Sequence, residues 1–201
     1  MAESREQIET DSPVTLYIKF PENVFPRSFK LAKANGDIEY FRQLNGKVNR
    51  IKLNLPRSGN YYSNYPFILL KKTPIELPTK KVKLPPAQRN RWKELTFVDN
   101  PNLAGTPARI FTGTGVVEHS PEYYKYPHSV RLFIDLHEQG HLLYETEEYC
   151  DLWALVNYLN MGYNRSTAYW TLCNILKRTN ENVKRIETLI SNIKKTENGT
   201  K

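Results

Sequence analysis

From Ser12 to about Leu84, apolar and polar residues alternate in short runs such as Val14-Thr15-Leu16-Tyr17-Ile18-Lys19-Phe20 and Val48-Asn49-Arg50-Ile51-Lys52-Leu53-Asn54-Leu55. A period of two sends successive side chains to opposite faces, so these runs predict half-buried β-strands. Asn35-Gly36 separates Phe29-Lys30-Leu31 from Ile38-Glu39-Tyr40-Phe41, and Asn45-Gly46 follows soon after. Both dipeptides suit tight turns where φ becomes positive, and the expectation is an antiparallel meander forming a small sandwich or partial barrel. Four prolines at 74, 78, 85 and 86 stand among lysines. Proline cannot donate to a sheet ladder, so they predict an extended connector and a domain boundary near Pro86.

Beyond that boundary Trp92 to Val98 and Arg109 to Glu118 read as two further strands, and from Ser129 the period lengthens to that of helices. Ser129 is the expected N-cap of a helix from Val130 to Leu143, and Thr146 that of a second from Glu147 to Met161, stopped by Gly162. Ser166 would cap a third to about Lys177, and an amphipathic fourth would run from Glu181 to Lys195. The expected fold class is therefore α+β. Residues 1–86 would form a β-rich domain for docking or interaction, and residues 87–201 a mostly helical domain with a short sheet.

An aromatic content of 12%, with 13 tyrosines, excludes a disordered chain. The net charge of +8 would suit an anionic partner, but the 29 lysines and arginines are spread along the chain. Their one concentration (Lys80, Lys81, Lys83, Arg89, Arg91 and Lys93) reads as a solvated linker, and no nucleic-acid-binding module is legible, so nucleic acid is not an expected partner. Cys150 and Cys173 sit in helical patterns without a partner at ligand spacing and are expected to be buried, reduced thiols. No apolar run follows the polar start MAESREQIETDS, and the expectation is a cytoplasmic chain with neither signal peptide nor membrane span.

The residues that point to chemistry are His137-Glu138-Gln139-Gly140-His141, an H-E-x-x-H pattern inside the first expected helix. Residues at i and i+4 share a helix face, so the two imidazoles can ligate one Zn²⁺ at ~2.0 to 2.1 Å while the glutamate between them acts on a water at the metal. A catalytic zinc site needs a third protein ligand. Glu147 follows six residues after His141, with Asp151 one helical turn further on, and both are candidates; Glu148 should face away from Asp151. His119, Tyr144 and Tyr149 are candidates for steadying an oxyanion.

His137 to Tyr144, followed by Thr146-Glu147-Glu148-Tyr149-Cys150-Asp151-Leu152-Trp153-Ala154, resembles the zincin metallopeptidases. Among them it is most similar to the small HExxH proteins of bacteriophages and mobile elements, where E-x-x-(A/C)-(D/N)-x-x-A follows the H-E-x-G-H helix. The likeness spans about Pro127 to Leu176. It implies a zincin-like domain binding Zn²⁺ through His137, His141 and Glu147, with Asp151 orienting a histidine and Glu138 as catalytic base. It also implies that Gly113 to Glu118 is an edge strand lining a cleft for a protein or peptide substrate. The chain departs from the metzincin pattern at Tyr144, which stands where that family has glycine. Two functions are expected: a zinc endopeptidase of a bacterial host's cytoplasm, or a structural or interaction protein of a phage particle, in its head or tail, that retains the fold.

Overall fold

The alternating runs of the N-terminal half pair into two sheets. The structure, a computed structural model, describes residues 6–44, 46–75, 84, 86–89, 94–175, 184 and 188. Strands β1 (Gln7–Thr10), β6 (Gly59–Ser63), β3 (Ser28–Lys33) and β4 (Ile38–Gln43) form one sheet in that order, and β5 (Arg50–Leu55), β2 (Val14–Lys19) and β7 (Ile68–Pro74) the other, with every pairing antiparallel. Both sheets turn apolar residues into one core that includes Leu16, Ile18, Phe29, Leu31, Leu53 and Tyr61, so the unit is a small sandwich. The order differs from a meander. Among the described strands of this unit only β3 and β4 form a hairpin between neighbours in sequence, at the Asn35-Gly36 turn where Gly36 has φ 85°, whereas the segment around Gly46 carries the chain from one sheet to the other.

The chain divides into two compact units: Met1–Leu77 with Pro127–Ser129 and Leu159–Thr167, and Pro78–Tyr126 with Val130–Tyr158 and Ala168–Lys201. A single cut near Pro86 leaves out the two later segments of the β unit. Polar side chains tie them in. The backbone N–H of Asn54 donates to Asn164 Oδ1 at 2.7 Å, Asn54 Nδ2 donates to Gly162 O at 3.0 Å, and the His128 N–H donates to Asp37 Oδ1 at 3.1 Å. Arg57 bridges Asp37 and the fully buried Glu39. Burial raises the Glu39 pKa, and the Arg57 guanidinium pulls the other way.

The second unit carries strands β8 (Thr96–Asp99), β9 (Ala108–Phe111) and β10 (Val116–His119), with β10 central, parallel to β8 and antiparallel to β9. Arg109 to Glu118 is thus a hairpin rather than one strand. Gly115, at φ 77°, closes the turn with its N–H on Phe111 O at 2.8 Å. Helix α1 runs from His128 to Gly140, α2 from Glu147 to Asn160 and α3 from Arg165 to Ile175. Thr146 caps α2 weakly, its hydroxyl 3.4 Å from the Tyr149 N–H. Ser129 lies inside α1 and Ser166 inside α3, because Asp37 and Asn164 stand at those helix starts instead. The expected helix over Glu181 to Lys195 lies outside the described residues, except for Lys184 and Thr188, which are helical. Among the described residues no helix is long and apolar enough to cross a membrane.

Candidate metal centre

Helix α1 buries Val130, Phe133, Ile134 and Leu136, which leaves His137 and His141 together on an adjoining face. After Gly140 the helix tightens: the N–H groups of His141, Leu142 and Leu143 donate three residues back, at 3.1, 3.1 and 2.9 Å. The two imidazole centroids are 5.0 Å apart with ring planes at 87°. Gly140 permits what comes next. A Cβ there would stand 2.9 Å from Cys150 Cα, so the missing side chain lets the start of α2 lie directly against the end of α1.

That close approach brings α2 carboxylates to the histidines. Glu147 lies 3.2 Å from His137 Nε2 through one oxygen and 3.5 Å from His141 Nε2 through the other. Asp151, fully buried, is 2.7 Å from His137 Nδ1 on the opposite side of the ring. The Cys150 sulfur stands 3.3 Å from His141 Nδ1. Each ring therefore has its Nδ1 engaged from behind and its Nε2 turned forward, which is how metal-binding histidines are oriented. One donor atom from each of His137, His141 and Glu147 falls within a 4.8 Å group, and these three could hold a metal ion. Tetrahedral ligands at ~2.0 to 2.1 Å from a zinc ion lie about 3.4 Å apart, close to these nitrogen–oxygen distances.

The electrostatics separate the two rings. Burial disfavours a charge on His137, but its hydrogen bonds to Asp151 and Glu147 outweigh that and raise its pKa to about 10. Burial and the neighbouring His137 charge lower His141 to about 4. Glu138 lines the same cavity but is not one of the three grouped donors. Its Oε2 accepts the Ile110 N–H of β9 at 3.0 Å, and burial raises its pKa against the pull of His137. Burial likewise pushes the Cys150 thiol up.

A cavity of about 390 Å³ opens over these groups. Its walls are the Gly105–Ile110 segment, α1 at Phe133, Ile134, His137, Glu138 and His141, α2 at Glu147 and Asp151, and α3 at Thr171, Leu172 and Ile175. The edge strand at the cavity is β9. Gly113-Thr114-Gly115 forms the hairpin turn and β10 is central. His119, Tyr144 and Tyr149 do not line the cavity. His119 stacks on Tyr123 at 3.7 Å and reaches Asp135 at 2.9 Å, while Tyr144 and Tyr149 pack on each other.

The Ile110 N–H, the α3 wall and Arg89, which donates to the His141 carbonyl at 3.1 Å, carry no local sequence signal. Arg89 is the only described member of the basic stretch from Lys80 to Lys93. Comparison with protein-family models, curated proteins and solved structures found no match.

Proposed function

We propose that this centre binds Zn²⁺ through His137, His141 and Glu147 and that the chain is a zincin-like metallopeptidase cleaving protein or peptide substrates. The observation that carries the reading is the convergence of both Nε2 atoms on the Glu147 carboxylate while Asp151 holds His137 from behind. When bound, the zinc would polarise a scissile carbonyl and acidify a water. Glu138, buried at the cavity wall with a raised pKa, takes the water's proton and returns it to the departing amine. The Gly105–Ile110 segment and α3 supply the other walls of the cavity in which a substrate would lie. Such an enzyme would work in the cytoplasm of a bacterial host or in a phage particle.

One observation favours a second reading, in which the same metal-holding fold is a structural or interaction component of a phage particle. Glu138 is tied to the Ile110 N–H, a contact that serves packing as well as chemistry. Glu138→Gln separates the two. The amide oxygen still accepts that N–H but cannot take the water's proton, so an enzyme keeps one zinc per chain and loses ~10² to 10⁴ in peptide hydrolysis. A zinc-loaded wild type that cleaves nothing in a broad peptide library would favour the structural component, and a protein that takes up no zinc would overturn both.

A further inference from the structure

We propose that the outer face of the β5-β2-β7 sheet binds single-stranded nucleic acid. In β2 the even-numbered Leu16 and Ile18 enter the core, so Thr15, Tyr17 and Lys19 point outward. Cross-strand pairing sets Tyr17 between Lys52 of β5 and Lys71 of β7, and Lys19 between Arg50 and Ile68. Directly paired residues share a face, so Lys52 and Lys71 flank the Tyr17 ring and Lys19 and Arg50 lie in the next row, with a β-bulge in the β2–β7 pairing between the two rows. The Lys52 and Lys71 ammonium groups lie over the Tyr17 ring, 5.4 and 5.9 Å from its centroid, in cation–π contact. At the far end of the face Thr15 is buried, and its partner Asn54 is held by Gly162 and Asn164, so the open part begins at Tyr17.

The three rows Thr15/Asn54/Thr73, Tyr17/Lys52/Lys71 and Lys19/Arg50/Ile68 contain no carboxylate. Among the described residues none of the four cations makes an ion pair. Arg50, Lys52 and Lys71 are exposed. Like charges gathered at this spacing repel one another, and a polyanion is their complement. The ring at the centre favours one polyanion: as the two lysines move from the ring onto phosphates, its face is left for an unpaired base to stack on.

The test is fluorescence anisotropy of labelled oligo(dT) and oligo(U), about 20 nucleotides long, titrated with the full chain at several salt concentrations. The expected result is binding that weakens linearly in log salt, at about −0.7 per phosphate neutralised. Tyr17→Ala and the exposed Lys52→Glu and Lys71→Glu should each weaken it about tenfold or more, with Tyr17→Phe retaining it. Thermal melting of each variant checks the fold, and the two lysine variants carry the test if Tyr17→Ala melts early. Binding that is indifferent to the lysine variants overturns the proposal. So does binding to duplex DNA, heparin or anionic vesicles that matches or exceeds binding to the single strand.

Discussion

If the centre binds zinc as proposed, uptake has to displace a proton, and the structure sets how strongly pH should matter. His137 Nε2 must be free to ligate, yet in the metal-free protein the ring is held protonated up to about 10 by Asp151 and Glu147, against the opposing effect of burial. At pH 7 about one molecule in a thousand then carries a neutral His137, and the handicap on metal affinity is on the order of 4 kcal/mol. His141, lowered to about 4, contributes no proton near neutrality. Apparent zinc affinity should thus rise about tenfold per pH unit, or roughly a hundredfold from pH 6 to pH 8, with one proton released per metal.

The direction follows from the deprotonated ring being the ligand. In the metal-free chain the same raised pKa stabilises the fold in full below about 6.5, and that contribution is lost as pH rises through about 10. Competition with a chelator of known pH dependence measures the affinity, and calorimetry in buffers of different ionisation enthalpy counts the proton. Asp151→Asn removes the largest interaction that raises His137. It should flatten the slope above neutral pH and weaken the high-pH affinity by about 10- to 100-fold. An affinity that stays level from pH 6 to pH 8, with no proton released, would refute the reasoning: His137 would then be neutral in the free protein or would not be a ligand.

Gly140→Ala drives a methyl group to within 2.9 Å of the Cys150 backbone, so it should destabilise the fold by about 1 to 3 kcal/mol and lower metal affinity as α2 shifts; thermal melting and zinc titration read the two effects. Cys150→Val removes the group facing His141 Nδ1 and should weaken zinc binding about tenfold, whereas Cys150→Ser keeps an acceptor and should stay closer to wild type in the same titration. In the β unit, Arg57→Ala leaves the buried Glu39 without its cation and should cost about 3 to 5 kcal/mol in denaturant unfolding, with much of the loss recovered by adding Glu39→Gln.

The features legible in the sequence are those fixed by short-range geometry. The period of two in Val14 to Phe20 decides which β2 residues face the core whatever the strand pairs with, because a strand's side chains alternate by construction. The Asn35-Gly36 turn needs only its own backbone, and the pairing of His137 with His141 needs only one helical turn. The same locality explains where the reading of Arg109 to Glu118 stopped short: an apolar–polar pattern continues through a tight hairpin, and only the positive φ of Gly115 breaks it.

Tertiary structure decided everything that depends on how two segments meet. Glu147 and Asp151 lie one turn apart on α2 and are alike in sequence. Their different positions, one between the two Nε2 atoms and the other behind His137, come from the contact of α1 and α2 at Gly140. The cavity wall from α3 and the Ile110 N–H on Glu138 likewise join residues far apart in the chain. Lys19, Arg50, Lys52 and Lys71 are scattered cations when read in order, and become one face through the antiparallel register of three strands. Register and helix crossing are settled by packing over the whole unit, a sum of many long-range contacts that no window of sequence contains.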